Sequence, residues 1–300
     1  MRNKNGFSRC GENYINRLRK EGRYSTAHVY KNALYSFSKF CGTLNMSFRQ
    51  VTKERLRRYG QYLYECGLKP NTISTYMRML RSIYNRGVDM HQAPYVHGLF
   101  RDVFTGVDTR QKKAIPIGEL HMLLNKDPQS EKLRRTQAIA NLLFQFCGMP
   151  FSDLAHLEKS NLERGLLKYN RTKTGTPMSI EVLESAQNAI GGLYNKSDAR
   201  SSGYPDYLFR ILSGAYKRNE EGAYREYQSA LRRFNNELKS LSRKLRLHSP
   251  VTSYTLRHSW ATTAKYRGVP IEMISESLGH KSIKTCLLYT SPSPRDRQKS

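Results

Sequence analysis

The spacing of apolar residues restricts this chain to a mainly helical fold, because apolar side chains recur every three or four positions through most of its length. In the first hundred residues, three segments with this spacing are predicted to be helices. The first has Ser25 as its expected N-cap and ends just before Gly42. The second runs from Thr52 to Gly67, and the third starts after the Pro70-Asn71 cap and ends before Gly87. Together they predict a small helical bundle.

One pair of segments departs from the helical spacing. LLKYN (166–170) and MSIEV (178–182) are short and strand-like, and the tight RTKTG segment between them contains Gly175, so they predict a β-hairpin with Lys173 near its tip. A Gly-, Ser- and Asn-rich loop is expected over 191–203. Helices are predicted at 115–124, at 133–148, around Leu154 and Leu157, and at 224–245, 254–266 and 270–278. The expected fold class is mainly α with a small β-sheet (α+β).

The chain loses its periodicity between residues 101 and 114, where RDVFTGVDTRQKKA is polar and basic. This composition is typical of a linker. We therefore expect a helical domain over residues 1–105, a linker over 106–114 and a second domain over 115–290. CLLYTSPSPRD, from Cys286 onward, resembles the translation of a sequencing adapter derived from a transposon end, so residues 286–300 are a candidate non-native tail.

Charge indicates the class of partner. The chain has 51 Lys and Arg against 24 Asp and Glu, a formal net charge of +27, which favours a polyanion, with nucleic acid as the leading candidate. The sequence contains no apolar run long enough for a membrane span, and MRNKNGFSRC does not begin a secretory signal, so we expect a cytoplasmic protein without a membrane partner. Five scattered cysteines without a C-x-x-C pair favour a reducing compartment and no zinc site.

The third predicted helix has most of its cations off the apolar stripe. Arg78, Arg81 and Arg86 lie on this helix, and Lys69 precedes it. Such a face suits contacts with DNA phosphates. A solvated helix face is the alternative, and for this helix alone it is slightly favoured. The charge of the whole chain shifts the balance towards DNA.

The C-terminal segments SYTLRHSWATT and ISESLGHKSIKTCLLYT bring Arg257, His258, His280 and Tyr289 into one short stretch. Transesterification at a DNA phosphate without a metal needs donors to the non-bridging oxygens, a nucleophile and an acid for the leaving 5′ oxygen. Arg, His, Tyr and Lys side chains supply these groups. Each of these residues taken alone favours a structural role, and it is their spacing that points to catalysis.

The order R-H-S-W-A-T, L-G-H and then a Tyr nine residues after that His resembles the C-terminal signature of tyrosine recombinases, the phage integrase family. GMPFSDLAHL resembles their first catalytic box. The resemblance covers most of the chain. It implies a SAM-like core-binding domain at 1–105 and a catalytic domain at 115–290. It also implies cutting and rejoining of double-stranded DNA through a 3′-phosphotyrosyl intermediate, without metal or cofactor, by four protomers at synapsis.

The resemblance also implies roles by position. Arg257 corresponds to the family's second phosphate-binding Arg, and His280 to the His that hydrogen-bonds the scissile phosphate. Lys173 corresponds to the general acid that protonates the leaving 5′ oxygen, and Tyr289 to the nucleophile. His258 is assigned a supporting, buried role. Tyr254 holds the first position of the family's H-x-x-R motif and is also supporting, because a phenol with a pKa near 10 donates a hydrogen bond but shuttles protons poorly at neutral pH.

The first catalytic box lacks the family's first Arg. Pro150 stands at that position, and Cys147 stands where a related branch has an Arg before the Gly. The candidate replacements are Arg134, Arg135 and Arg171. Loss of one phosphate-binding cation can cost about 3–4 kcal/mol of transition-state stabilisation, so reduced activity is one expectation.

The expected function is integration or excision of a mobile element such as a prophage or conjugative transposon, with resolution of chromosome dimers as a role of the same chemistry. A type IB topoisomerase is the alternative enzyme. A DNA-binding protein that has lost catalysis is the alternative from another class. Trapping on a suicide substrate separates these classes, because only an enzyme leaves a covalent adduct. The sequence identifies no accessory protein.

Overall fold

Helices build most of the chain. The computed structural model describes residues 6–108, 114–196 and 204–282, and in these ranges it contains eleven α-helices and one three-stranded antiparallel sheet. The predicted class, mainly α with a small sheet, is confirmed. The chain divides into two units, Met1–Arg110 and Gln111–Ser300. None of the helices in the described ranges has the length and apolar character that crossing a bilayer requires.

The first unit contains four helices: α1 (Phe7–Lys20), α2 (Tyr24–Phe40), α3 (Lys53–Glu65) and α4 (Pro70–Asp89). Helices α1, α2 and α4 pack against one another, and α3 packs on α4. Each buries one apolar face in a common core, as their amphipathic sequences require. Pro70 occupies the first turn of α4, where its missing N–H costs no hydrogen bond.

Aromatic rings fill the centre of this first core. Phe7 meets Phe37 and Phe48 edge-to-face, with ring centroids 6.2 and 5.7 Å apart. A Cβ at Gly87 would lie 2.2 Å from the Phe48 ring, so α4 needs a glycine where this ring lies against it. Edge-to-face pairs add about 0.5–1.5 kcal/mol each beyond the burial of apolar area.

Helix α1 and the start of α2 differ from the sequence predictions. Helix α1 was not predicted, and the expected N-cap Ser25 is wrong, because α2 begins at Tyr24 with Arg23 as its N-cap. The Arg23 N–H donates to the Leu18 carbonyl at 2.8 Å, so the short turn from α1 fixes where α2 begins. Residues 106–108, expected in the linker, are bound to the start of α4 through the side chains of Ser74 and Asn71.

The second unit is arranged around α6, which packs against α5, α8, α9 and α10. Its core is a separate cluster of buried apolar side chains. The helices of this unit are α5 (Ile117–Asn125), α6 (Glu131–Gln145), α7 (Phe151–Ala155), α8 (Glu184–Leu193), α9 (Glu221–Lys244), α10 (Ser253–Tyr266) and α11 (Ile271–Ser277). Helix α8 was not predicted, and its last residues occupy the start of the expected 191–203 loop.

The sheet consists of β1 (Leu162–Glu163), β2 (Leu166–Asn170) and β3 (Pro177–Glu181), paired antiparallel in that order. The predicted β2–β3 hairpin is confirmed, whereas β1 was not predicted. Leu167 pairs with Ile180 and both are buried, so one face of the hairpin packs on the core.

Candidate active site

The turn between α6 and α7 presents a main-chain carbonyl to α10. Cys147 and Gly148 both have left-handed backbone, with φ of 55° and 65°. A Cβ at Gly148 would lie 3.2 Å from both the Arg257 Cα and the Trp260 Cβ. Position 148 therefore needs glycine for its backbone angle and for the close approach of α10.

Arg257 lies one turn into α10, whose start is fixed by a capping box between Thr252 and Thr255. Its side chain is buried, with 5% of the residue exposed. Nη1 donates to the Gly148 carbonyl at 2.9 Å, and Nη2 donates to the Leu278 carbonyl at 2.5 Å. The guanidinium group thus joins the turn before α7 to the end of α11.

The end of α11 forms a Schellman motif. The His280 N–H donates to the Ser275 carbonyl at 2.9 Å, the Gly279 N–H donates to the Glu276 carbonyl at 2.7 Å, and Gly279 has φ of 62°. This turn directs the Leu278 carbonyl towards Arg257 and brings the His280 Nε2 to 3.2 Å from the Arg257 Nη2. The Arg and His that the family resemblance singles out are therefore in contact.

The β2–β3 turn brings a second guanidinium group to the same place. Arg171 follows directly after β2, and only 8% of the residue is exposed. Its Nη1 donates to the Leu278 carbonyl, and also to the Gly279 carbonyl at 3.3 Å. Two arginines from different elements therefore share the Leu278 carbonyl as acceptor.

Asp153, in the first turn of α7, holds Arg171 in position. Its Oδ2 accepts from the Arg171 Nε at 3.2 Å and its Oδ1 accepts from the Thr172 N–H at 3.1 Å. Only 2% of Asp153 is exposed, so this is a buried ion pair supported by a second hydrogen bond. From the sequence, Arg171 is only one of three candidates for the missing arginine, and Asp153 is not predicted as a site residue. The available signals were the carboxylate inside GMPFSDLAHL and an Arg two residues before Lys173.

His280 is neutral at physiological pH. Partial burial lowers its pKa to about 4, and the positive charges of Arg257 and Arg171 act in the same direction. An arginine nitrogen can only donate, so the His280 Nε2 accepts from Arg257 and the ring proton is on Nδ1. A proton gained at Nε2, which a bound anion would favour, would turn this ring nitrogen from an acceptor into a donor.

The other predicted catalytic residues are placed as follows. Lys173 is exposed in the β2–β3 turn, next to Thr172 and hence next to the segment that Asp153 anchors. Tyr289 lies outside the described residues. His258 is buried, and Tyr254 is 44% exposed, with its ring edge-to-face on the His258 ring at 4.5 Å.

The two positions where an arginine is missing supply no cation. Pro150 is the N-cap of α7, with φ of −65°. Burial raises the pKa of the Cys147 thiol, which therefore stays uncharged. Any replacement for the missing cation has to come from outside the box.

Arg134 and Arg135, on α6, have partners of their own. Arg134 donates to both carboxylate oxygens of Asp127, at 3.0 and 3.2 Å, and its side chain is 58% exposed. Arg135 donates to the Arg210 carbonyl at 2.7 Å. Of the three candidate replacements, only Arg171 hydrogen-bonds the carbonyl that also holds Arg257.

The four cations predicted to contact DNA in the first unit fall into two kinds. Lys69 and Arg81 are exposed, whereas Arg78 and Arg86 are partly buried. The Arg86 guanidinium lies 3.5 Å from the centre of the Tyr14 ring, a cation–π contact within the unit. Arg78 donates weakly to the Thr75 hydroxyl at 3.4 Å.

Hydrogen-bonding side chains from three elements are concentrated at the end of α11. Two buried guanidinium groups and a neutral imidazole converge at the end of α11, and the turn that carries Lys173 is fastened to the same cluster. Such donors stabilise negative charge that develops on phosphate oxygens. In the part of the chain that is described, no three His, Cys, Asp or Glu side chains are grouped as a metal site would require.

Comparisons with known proteins indicate the family and the fold. The sequence profile of the phage integrase SAM-like domain matches residues 7–95, and that of the phage integrase family matches residues 117–295. The chain is 27% identical over 292 residues to a probable integrase/recombinase protein of Methanocaldococcus jannaschii, covering 94% of this chain and 80% of that one. It is 28% identical over 257 residues to the tyrosine recombinase XerD of Halalkalibacterium halodurans, covering 81% and 78%.

Solved structures share the fold. The Tn1549 transposon integrase, solved in complex with circular intermediate DNA, is 14% identical with a TM-score of 0.64, covering 97% of both chains. A lambda integrase tetramer bound to a Holliday junction is 14% identical with a TM-score of 0.63, covering 93% of this chain and 77% of that one. On the match of both profiles, the chain belongs to the phage integrase family of tyrosine recombinases.

Proposed function

We propose that this protein cuts and rejoins double-stranded DNA at specific sites, through a 3′-phosphotyrosyl bond formed by Tyr289. The observation that carries the proposal is the contact of Arg257 with His280 at the end of α11, 3.2 Å apart. Tyr289 follows nine residues later in the sequence, at the offset of the family's nucleophile.

Each group has a defined task in the step. Arg257 and His280 donate to the non-bridging oxygens of the scissile phosphate. The phenolic oxygen of Tyr289 forms the new bond to phosphorus and releases its proton to solvent. The bond to the 5′ oxygen breaks, its electron pair stays on that oxygen, and Lys173 supplies a proton to it. A 5′ hydroxyl from a partner strand reverses the step, so no external energy source is consumed.

The net charge of the chain and its structural neighbours support a proposal for the class of substrate. A net charge of +27 suits a protein that binds a polyanion. The Tn1549 and lambda integrases are structural neighbours seen on DNA, the latter as a tetramer on a Holliday junction. By analogy we propose duplex recombination sites as the substrate and four protomers at synapsis, in the integration or excision of a mobile element.

The first experiment identifies the DNA site and detects the covalent bond to it. Nicked, fragmented genomic DNA from the source organism is incubated with the full chain, denatured with detergent, and the DNA still attached to protein is sequenced. A synthetic duplex of the recovered site, nicked next to the cleaved phosphate, then serves as a suicide substrate. We expect a covalent adduct whose peptide maps to Tyr289 and which Tyr289→Phe abolishes. An adduct on another residue would overturn the nucleophile assignment.

A catalytically inactive DNA-binding protein is the second candidate, favoured by one observation, the proline at position 150 in place of an arginine. That candidate predicts tight, salt-sensitive binding of the same fragments without an adduct. A type IB topoisomerase would instead relax supercoiled plasmid without pairing two sites. Comparing plasmid relaxation with the joining of two recovered sites separates this activity from recombination.

A further inference from the structure

The cation missing from the first catalytic box has a counterpart at the end of α11. We propose that Arg171, delivered by the β2–β3 turn, binds the scissile phosphate together with Arg257 and so replaces the absent first arginine. This rests on the proposed function. The observation behind the proposal is that the guanidinium groups of Arg171 and Arg257 both donate a hydrogen bond to the Leu278 carbonyl, although the two residues belong to different elements.

The geometry of Arg171 suits a ligand at this point. Its described hydrogen bonds start at Nε, which reaches Asp153, and at Nη1, which reaches the carbonyls of Leu278 and Gly279. Over the described residues, Nη2 is left for a phosphate oxygen. A guanidinium group fixed on two sides and open on the third is ordered before the ligand arrives, so little entropy is lost on binding.

Burial strengthens the electrostatic interactions of the Arg171 guanidinium group. Only 8% of Arg171 is exposed to water. Charge–charge interactions of a buried group are stronger than those at the surface, because the surrounding dielectric constant is lower. Main-chain carbonyls supply two of its three described acceptors and carry no net charge. A phosphodiester oxygen would bring a full negative charge to the cluster.

Asp153 acts as the positioning residue. It lies three residues after Pro150, so the box that lost its cation keeps the carboxylate that holds a cation from elsewhere. The same carboxylate binds the Thr172 N–H and thereby fixes the residue before Lys173. One buried acid thus sets the position of the proposed phosphate ligand and of the turn that carries the proposed general acid.

The test removes the charge from the enzyme and then from the substrate. Arg171→Gln keeps a hydrogen-bonding side chain of similar reach without the charge. On the suicide substrate found for the wild type, we expect its single-turnover cleavage to be slower by about 100- to 1000-fold, as for loss of one oxyanion donor. A substrate with a methylphosphonate at the scissile position has no negative charge there, so most of this deficit should disappear on it.

Two matched controls accompany this variant. Arg134→Ala removes a rejected candidate for the missing cation, and Lys168→Ala removes an exposed charge from β2 beside the same turn. Both should cleave the ordinary substrate at the wild-type rate. Folding is followed by the fluorescence of Trp260. If Arg171→Gln does not fold, Arg171→Lys replaces it and should be slowed at least about tenfold on the phosphodiester and less on the methylphosphonate.

Three outcomes would overturn the proposal. Wild-type cleavage by folded Arg171→Gln shows that the cation is not used. An equal loss on both substrates shows that Arg171 only supports the fold. If the wild-type chain itself forms no adduct, the proposed function fails and this inference fails with it, and that result is distinct from failure of the Arg171 variants alone.

Discussion

Gly148→Ala tests how closely the turn before α7 packs against helix α10. The added methyl would lie 3.2 Å from the Arg257 Cα and the Trp260 Cβ, on a backbone with φ of 65°. A left-handed backbone costs an L residue about 1–2 kcal/mol. Inserting a methyl into filled space costs about 1–3 kcal/mol. We therefore expect the free energy of unfolding to fall by about 2–5 kcal/mol.

Gly165→Ala is the matched control, because Gly165 has φ of 77° but a Cβ at this position would have nothing within 4 Å. It should lose only the backbone contribution, about 1–2 kcal/mol. Alanine also stiffens the unfolded chain, but equally in both variants, so this effect cancels in the comparison. The difference between them is the cost of the close contact.

The assay is denaturant unfolding followed by tryptophan fluorescence. The chain has one tryptophan, Trp260, so the signal reports only the unit that contains the site. Equal losses in Gly148→Ala and Gly165→Ala would refute the reasoning, because they would mean that α10 moves away from the methyl at no cost.

Three further predictions concern charged groups. Asp153→Ala should lower the free energy of unfolding by about 3–5 kcal/mol, since it leaves a buried guanidinium group without its carboxylate, whereas Asp127→Ala, at an exposed ion pair, should not change the unfolding midpoint. The pKa of the His280 imidazole is about 4 in the folded chain and 6.5 ordinarily, so between these pH values the unfolded chain binds more protons than the folded one. The free energy of unfolding should therefore fall as the pH drops from 7 to 5, and His280→Gln should make this fall smaller. An unchanged pH dependence in His280→Gln would contradict the prediction. Arg81→Ala should weaken DNA binding and lower the slope of log K against log salt concentration by about 1. Arg86→Ala should mainly destabilise the first unit, because it removes the cation–π contact with Tyr14. The reverse pattern in binding and unfolding titrations would show that Arg86 is the phosphate ligand.

Local patterns in the sequence were enough to predict most elements. The helical spacing predicted α10 and the β-type segments predicted the β2–β3 hairpin, because each pattern depends on neighbours within a few residues. The N-cap of α2 was wrong for the opposite reason. Ser25 has the right side chain, but the turn from α1 fixes the start at Tyr24, and α1 was not predicted.

The candidate site could be predicted only in part. Arg257 and His280 were named from their spacing in the C-terminal segment. Arg171 could not be distinguished from Arg134 and Arg135 by sequence, because all three are basic residues near the box. Only tertiary packing shows that one of them reaches the Leu278 carbonyl. The same holds for Asp153, whose partner is 18 residues away.

The two guanidinium groups are held largely by the carbonyls of Gly148, Leu278 and Gly279. No codon change can delete a main-chain oxygen, so point mutation reaches these acceptors only by bending the path of the chain. Loss-of-function variants in this region should therefore occur mainly at Gly148 and Gly279, although neither residue has a side chain that could contact a substrate. A designer who transplants the site would have to copy two loop conformations before placing either arginine.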